Sequence, residues 1–247
     1  MIFLISLIPS LILAAALTIS EVVARPARAD WRRNLIAWAF YATATLTFLP
    51  VLDRFGLPSL IDGAALPAWL AVSLFLVLRD GLEFAYHRAQ HQVPMLWAVH
   101  SMHHSDPEMS ALTAMRHFWA DPVIKGITIW PVALLVLKPT ETTLVVYSVV
   151  SLYHLVIHAR LPISFGRWSW VLNNPAYHRR HHSRLPEHHD SNFASLFPIF
   201  DVVCGTYRKP DGFPPTGLDQ APRSLLDLLF WPIRFEEAQA AAEPLTA

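Results

Sequence analysis

The sequence predicts an all-α protein, a multi-pass helical membrane protein that carries a histidine-rich cap on the cytoplasmic side. Three observations support this fold class. Apolar residues make up 53% of the 247 residues and charged residues only 15%, well below the usual quarter. The apolar residues are gathered into long runs rather than spread along the chain. All 13 histidines lie between His87 and His189, so they belong to one region of the fold.

Three apolar runs predict membrane-spanning helices, at residues 2–19, 35–52 and 66–78. The bilayer core is about 30 Å thick, which takes about 20 helical residues to cross. We interpret 2–19 as a retained span rather than a signal peptide, because the arginine cluster at 25–33 follows it instead of preceding it. The positive-inside rule places this cluster in the cytoplasm, and alternation of the spans then places Asp80 and the residues after it there too.

A further apolar block is interrupted by Lys138, Pro139 and Thr140. A polar turn containing proline in the middle of such a block predicts a helical hairpin that enters the bilayer and returns to the same side. The whole chain then forms a single membrane-embedded domain, residues 1–247. Its parts are the N-terminal spans with residues 1–79, the first histidine groups with 80–122, the helical hairpin with 123–158, and a cytoplasmic cap and tail with 159–247.

The apolar run 225–235 in the tail is too short to cross a bilayer. We interpret it as an amphipathic helix at the membrane surface. Trp231 is then expected at the level of the lipid headgroups, where tryptophan is enriched.

Charge and cysteine content exclude several classes of protein. Nineteen basic and nineteen acidic side chains give a net charge of zero, so we expect no nucleic-acid partner. The single cysteine excludes both a disulfide framework and a zinc cluster built from cysteines.

Ten of the histidines form four groups, and within each group they lie three or four residues apart or are adjacent. Residues three and four apart share a face of a helix, so each group can direct two or three imidazoles at one point. A single pair of this kind is usually incidental, whereas four groups together are a strong indication of a metal site. The groups are His87 with His91, His100 with His103 and His104, His154 with His158, and His178 with His181 and His182.

The number of imidazoles predicts two metal ions. Structural zinc takes four ligands and six is the octahedral limit for iron, so ten ligands indicate two ions with five each. Neutral imidazole suits zinc, copper, iron or nickel and disfavours magnesium or calcium. The ligands alone therefore leave the identity of the metal open.

Two other kinds of protein remain as alternatives. A metal transporter would need exchangeable ligands near the middle of the bilayer, whereas most of these histidines follow the spans. A structural zinc membrane protein is compatible with the sequence but does not need ten ligands. A metalloprotease is disfavoured because the group from His87 to His91 contains no carboxylate that could act as a general base.

Several side chains are candidates for holding the imidazoles in place from outside. Asp80 and Glu83 lie seven and four residues before His87, on the same helix face, so either could accept an imidazole N–H. His189 precedes Asp190, and a histidine–aspartate pair would fix the orientation of a ring. We interpret His188 as a solvated loop residue.

These stretches resemble the fatty acid hydroxylase / sterol desaturase superfamily of integral-membrane di-iron oxygenases. The resemblance covers about residues 80–207 and includes the pair His154 and His158. It adds Asn192 to the candidates around the metal site. The matching motifs are His87-Arg88-Ala89-Gln90-His91, His100-Ser101-Met102-His103-His104, Tyr177-His178-Arg179-Arg180-His181-His182-Ser183, His189-Asp190-Ser191-Asn192, and Asp201 with Gly205-Thr206-Tyr207.

The resemblance implies the activity and its partners. It implies two iron ions, with zinc in their place after heterologous expression, held by the ten histidines with no catalytic residue beyond the metal centre. It implies an oxidoreductase that uses O2 and two external electrons to hydroxylate a membrane lipid such as a fatty acyl chain or a sterol, with desaturation or alkyl or ether cleavage as alternatives. The electrons would come from a separate ferredoxin, b-type cytochrome or reductase. The excess of arginine over lysine leads us to expect a bacterial inner membrane, with the active site on the cytoplasmic side.

Overall fold

The structure is a computed structural model that describes residues 12–13, 15–21, 31–52 and 57–242. The described part is mostly helical, which confirms the predicted all-α character. The labelled helices are α1 (Trp31–Leu52), α2 (Ala68–Gln92), α3 (Pro94–His104), α4 (Asp121–Val136), α5 (Glu141–Ser151), α6 (Tyr153–His158), α7 (Pro175–His181), α8 (Ile199–Cys204) and α9 (Leu225–Ala242). Two short strands, β1 (Ile61–Asp62) and β2 (Leu137–Lys138), pair in parallel.

The predicted spans agree with the structure only in part. Across the residues that the structure describes, none of the helices is both long and apolar enough for a bilayer crossing. The predicted span 2–19 lies outside the described residues except for 12–13 and 15–19, which are helical.

The third apolar run, residues 66–78, forms only the first part of a longer helix. Helix α2 continues without interruption from Ala68 to Gln92. Arg79 and Asp80 are only 2% and 5% exposed, and both side chains have polar partners inside the protein. Because both side chains have polar partners inside the protein, the helix can continue past them.

Helices α4 and α5 lie where the sequence predicts a hairpin, and strand β2 follows α4 directly. Helix α5 begins after Thr140, whose hydroxyl accepts a hydrogen bond from the Thr143 backbone N–H. Pairing of β2 with β1 ties this connection to the start of α2. Gly63 is required there, since a Cβ at this position would lie 2.5 Å from the Lys138 carbonyl oxygen.

Trp231 lies in the protein interior, not at a headgroup level as the sequence suggested. It is 3% exposed and its indole N–H donates a hydrogen bond to the Ser101 hydroxyl at 2.9 Å. Together with Leu228 and Phe235 it packs α9 against α3. The tail therefore supports the helix that carries three of the histidines.

A buried polar network joins α1 to the segment that follows α3. Arg116 is 1% exposed and donates hydrogen bonds to the Met102 carbonyl, the Ser105 hydroxyl and the Asn34 side-chain oxygen at 2.9–3.1 Å. The Asn34 amide in turn donates to Asp106 at 3.0 Å. Because Met102 is next to His103, this network fixes the end of the histidine-bearing helix.

We expect replacement of Arg116 by methionine to lower the free energy of unfolding by about 2–4 kcal/mol, since it removes several charge-assisted hydrogen bonds and leaves buried acceptors unpaired. Replacement of the exposed Arg167 by methionine is the matched control. It should change the free energy of unfolding by less than about 0.5 kcal/mol. Denaturant unfolding monitored by circular dichroism measures both. Equal effects of the two variants would contradict this role of the network.

Candidate metal centre

Four helices place the histidines around one point of the fold. Helix α2 carries His87 and His91 on its last turns, and Pro94 starts α3 two residues beyond the end of α2. Helix α3 ends with its own three histidines. Helix α7 begins after Asn174, whose side chain accepts a hydrogen bond from the Tyr177 N–H, and α6 ends at His158.

Nine of the ten predicted ligands come together, and they form two groups. Within each group the imidazole nitrogens that could bind a metal lie within 4.8 Å of one another. Eight of the nine residues are buried, and His91 is partly exposed. The five-histidine group contains His87, His91, His100, His104 and His181; the four-histidine group contains His103, His158, His178 and His182.

Each adjacent histidine pair is divided between the two groups. His103 belongs to the four-histidine group and His104 to the five-histidine group, and His182 and His181 divide in the same way. Consecutive helical residues point about 100° apart, so two neighbours cannot face the same point. From the sequence, each histidine triplet could direct its imidazoles at one point, whereas in the structure both triplets are divided between the two groups. The two groups are adjacent, because the rings of His104 and His182 stack at 4.2 Å.

The spacing of the nitrogens fits metal ions. The Nε2 atom of His100 lies 3.0 Å from that of His87 and 3.2 Å from that of His104. In the other group, Nε2 of His158 lies 3.1 Å from that of His103 and 2.9 Å from that of His178. Metal–nitrogen bonds of about 2.1 Å place neighbouring ligand atoms about 3.0–3.4 Å apart in octahedral or tetrahedral coordination.

Several imidazole nitrogens in these groups have no hydrogen-bond partner among the described residues although they are buried. They include Nε2 of His91, His181 and His182. An unpaired buried polar atom costs free energy, so such atoms indicate a ligand that the protein residues do not supply. The residues present therefore fit two metal ions held by imidazole.

Backbone carbonyls fix which nitrogen faces the centre. The Nδ1 atoms of His87, His158 and His181 lie 2.6, 2.6 and 2.9 Å from the carbonyl oxygens of Phe193, His154 and Ser191. A carbonyl can only accept, so each Nδ1 carries the proton and each Nε2 presents its lone pair.

Two buried carboxylates hold the loop that supplies two of these carbonyls. Asp201 is fully buried and accepts hydrogen bonds from the backbone N–H groups of Phe193 and Ala194 at 2.9 and 2.7 Å. Asp80 accepts from the N–H groups of Leu196 and Phe197 at 2.8 and 2.7 Å. From the sequence, Asp80 could have accepted an imidazole N–H; in the structure its carboxylate accepts hydrogen bonds from the loop instead.

Asn192 also serves this loop. Its backbone has a positive φ of 60°, a conformation that asparagine tolerates better than most residues. Its side chain accepts from the Arg208 N–H at 2.7 Å and donates to the Arg208 carbonyl at 3.0 Å. Asn192 therefore fixes the loop between Ser191 and Phe193.

Burial keeps the histidines neutral. It lowers the pKa of His158 to about 3 and that of His181 to about 4, in each case against a backbone hydrogen bond that raises it. Burial and the neighbouring imidazoles together hold the pKa of His100 and His104 well below the usual value. Neutral imidazole is the form that binds a metal, so protons do not compete with the metal at neutral pH.

The same shifts predict that acid destabilises the metal-free protein. An unfolded histidine takes up a proton below about pH 6.5, whereas the buried ones do so only at lower pH. The unfolded state then binds more protons, so the free energy of unfolding falls as the pH falls below about 6.5. We expect the Tm of chelator-treated protein to be lower at pH 5 than at pH 7.5. An equal or higher Tm at pH 5 would contradict the burial of neutral imidazoles.

Other predicted residues lie elsewhere. The His154 side chain is outside both groups, and its Nδ1 lies 3.2 Å from the Ser151 carbonyl oxygen. Glu83 pairs with Arg79 at 2.7 Å and with Lys125 at 3.3 Å rather than with an imidazole. Helix geometry suggested that both residues face the site, but Glu83 pairs with basic side chains and His154 contacts a backbone carbonyl.

The segment 188–190 also differs from the sequence interpretation. His188, expected in solvent, is 6% exposed, with Nε2 3.8 Å from Asp211. His189 and Asp190 are exposed, and Asp190 approaches His91 only to 3.9 Å.

His117 was not among the ligands proposed from the sequence. Its ring stacks on that of His103 with centroids 4.3 Å apart, and its Nδ1 lies 3.9 Å from Asp121. No spacing rule in the sequence indicates this contact, because the residue lies in the irregular segment between two helices.

This helical frame with two buried histidine groups defines the class of protein. A family model described as fatty acid hydroxylase matches residues 72–206, and the chain belongs to that family. The matched segment includes every residue of both histidine groups.

Similar proteins of known activity are alkylglycerol monooxygenases and a lipid hydroxylase. The chain is 35% identical to the alkylglycerol monooxygenase of Xenopus tropicalis over 51% of this chain and 29% of that protein. It is 32% identical to that of Danio rerio over 65% of this chain and 34% of that protein. It is 26% identical to the ornithine lipid hydroxylase OlsE of Rhizobium tropici over 58% of this chain and 44% of that protein. The match thus spans about a third of the alkylglycerol monooxygenases, and no solved structure matches the chain.

Proposed function

We propose that this chain forms the catalytic part of a membrane-bound oxygenase that hydroxylates a lipid. One oxygen atom of O2 enters a C–H bond of the lipid, and the other leaves as water after uptake of two electrons and two protons. The observation that carries the proposal is the pair of adjacent, buried histidine groups with unpaired nitrogens. Family membership and the lipid-oxidising relatives support it.

The proposed cofactor is two iron ions, with zinc taking their place after heterologous expression. The five-histidine group would hold one ion and the four-histidine group the other. When bound, the iron supplies the activation of O2 that amino-acid side chains cannot provide. The protein residues hold the imidazoles in position and shield the centre from water.

Aromatic side chains form part of that shield. Phe193 packs against His91 and His181 with ring centroids 5.2 and 5.7 Å apart, and Trp97 packs against His91 at 5.0 Å. An apolar wall beside the centre excludes water, and this prevents loss of the oxidising equivalents to side reactions.

The proposed substrate is an uncharged glycerol ether lipid. Four relatives are named for oxygenation of alkylglycerols, which are lipids of this kind. A membrane location suits such a substrate, and the exposed apolar side chains of Leu60, Trp69 and Val203 are consistent with contact with lipid. A separate ferredoxin, b-type cytochrome or reductase would supply electrons on the cytoplasmic side.

The test is incorporation of isotopically labelled oxygen into lipid. Membranes containing this chain receive labelled O2, an alkylglycerol and an electron-donor system, and lipids are analysed by mass spectrometry. Hydroxylation adds one labelled oxygen, whereas desaturation removes two hydrogens and adds none. Tight zinc binding without any oxygen-dependent change of a lipid would support the structural-zinc alternative instead.

A further inference from the structure

The ring of His103 lacks the backbone hydrogen bond that orients its neighbour His158. The Nε2 atoms of the two rings lie 3.1 Å apart, so this nitrogen of His103 faces the centre of the four-histidine group. Nδ1 of His158 lies 2.6 Å from the His154 carbonyl oxygen, whereas Nδ1 of His103 is buried and has no hydrogen-bond partner among the described residues. The orientation of His103 therefore depends on the rings that pack against it.

His117 packs flat against the His103 ring. The two ring centroids are 4.3 Å apart, and the ring planes differ by 11°. Across the part of the chain that the structure describes, the other aromatic rings in contact with His103 are imidazoles of the two histidine groups, which would themselves bind metal. His117 is thus the ring that supports His103 from outside both groups.

Neighbouring side chains hold His117 in place. Arg116, the preceding residue, is 1% exposed and donates a hydrogen bond to the Met102 carbonyl at 3.1 Å. Nδ1 of His117 lies 3.9 Å from the Asp121 carboxylate, a separation that is too long for a hydrogen bond but allows electrostatic attraction. The centroid of the Tyr41 ring on α1 lies 5.6 Å from that of the His117 ring. These contacts involve no metal ion, so His117 has a defined place before one binds.

Asp121 is in turn fixed to a helix that carries histidines of the metal centre. It is 2% exposed and accepts hydrogen bonds from the Tyr86 hydroxyl at 3.2 Å and from the Gln90 side-chain N–H at 3.1 Å. Both partners lie on α2, which carries two members of the five-histidine group. The position of His117 is therefore defined relative to a helix of the centre that it adjoins.

We propose that His117 is a positioning residue of the metal centre: its ring holds the His103 imidazole in the orientation that binds the ion of the four-histidine group. His117 is not among the imidazoles whose nitrogens converge in that group. It contacts His103 through the face of its ring, which offers no lone pair to a metal ion. This role rests on the metal ions of the proposed function and not on its lipid substrate.

Stacking favours the metal-bound form of His103 in particular. A bound metal ion withdraws electron density from an imidazole, and an electron-poor ring is attracted to the face of a second aromatic ring, as a cation is. An aromatic side chain in place of His117 is therefore expected to support metal binding, whereas an aliphatic side chain of similar volume only fills space. This difference separates positioning by the ring from packing alone.

Titration of the chelator-treated full chain in detergent with Co²⁺ alone tests this role without turnover. His117→Leu removes the aromatic ring and should weaken Co²⁺ binding at the four-histidine group about three- to tenfold, the factor that corresponds to one stacked ring pair. His117→Phe keeps a ring and should bind within about twofold of the unmodified chain. The visible absorption of bound Co²⁺ depends on the arrangement of its ligands, so it should change in His117→Leu and not in His117→Phe. Circular dichroism reports whether both variants fold.

A second background shows which ion is affected. His182→Ala removes a ligand from the four-histidine group and leaves the five-histidine group intact. In that background, His117→Leu should leave the affinity for the remaining ion unchanged, whereas a general loss of structure would weaken it. His189→Leu makes the same change at an exposed histidine outside both groups. It is the matched control and should bind Co²⁺ as the unmodified chain does.

The outcomes separate this role from the proposed function. Weaker binding in His117→Leu alone, confined to the four-histidine group, supports the role even if no labelled oxygen enters lipid. Unchanged binding in His117→Leu, equal weakening in His117→Leu and His117→Phe, or equal weakening of both ions would overturn it even if the chain oxygenates lipid. Binding of fewer than two Co²⁺ ions by the unmodified chain would overturn it together with the proposed metal centre.

Discussion

Replacement of His182 by alanine is expected to reduce the metal content from two ions per chain to one, whereas replacement of the adjacent His181 leaves two ions bound. His182 is one of four imidazoles in its group, and His181 is one of five in the other. Three remaining ligands hold an ion much less well than four, and we expect a loss of affinity of more than about 100-fold at that site, beyond the 10–100-fold that outer-shell changes cause.

Elemental analysis of purified protein after dialysis against a weak chelator measures this difference. His189→Ala is the matched control because His189 is exposed and outside both groups. Oxygenation of lipid should be lost in His182→Ala and kept in His189→Ala. The division of the histidine pair between two sites is wrong if His181→Ala and His182→Ala lose the same number of ions.

The second large effect is expected at Asp201, whose replacement by alanine should lower the free energy of unfolding by about 4 kcal/mol or more. The carboxylate accepts hydrogen bonds from two backbone N–H groups and from the hydroxyls of Thr206 and Tyr177. Its removal leaves these buried donors unpaired, and each costs about 1–3 kcal/mol.

Thr206→Val removes a single one of these hydrogen bonds and should cost about 1 kcal/mol. Denaturant unfolding of the metal-free protein compares the two variants. Asp201→Ala should also weaken metal binding, because the Phe193 carbonyl that orients His87 belongs to the loop that Asp201 holds. A stable Asp201→Ala protein with unchanged metal affinity would show that the loop keeps its place without the carboxylate.

The sequence by itself determined the helical character and nearly the whole histidine set. Residues three or four apart lie on the same face of a helix. Local geometry therefore places His87 with His91, and His178 with His182, in the same group. The same local reasoning predicted a helix over the apolar run at 66–78, which the structure has as the first half of α2.

Only the tertiary structure decided which histidines share a site. His181 joins histidines of α2 and α3, while His182 joins His103 and His158, and these choices depend on how separate helices pack. Periodicity along one helix says nothing about the partner that a neighbouring helix offers. His154 has the correct spacing to His158 and still lies outside both groups, with its Nδ1 near the Ser151 carbonyl oxygen.

The tertiary structure also decided the roles of the charged residues. In the sequence, Arg79 and Asp80 indicate the end of a predicted membrane span. A charged side chain with no nearby partner in the sequence is expected to face water or lipid headgroups. In the fold their partners are Glu83, Tyr147 and the N–H groups of the loop at Leu196. Some of these partners are 117 residues away in sequence. The sequence alone therefore does not predict that the two charged side chains are buried.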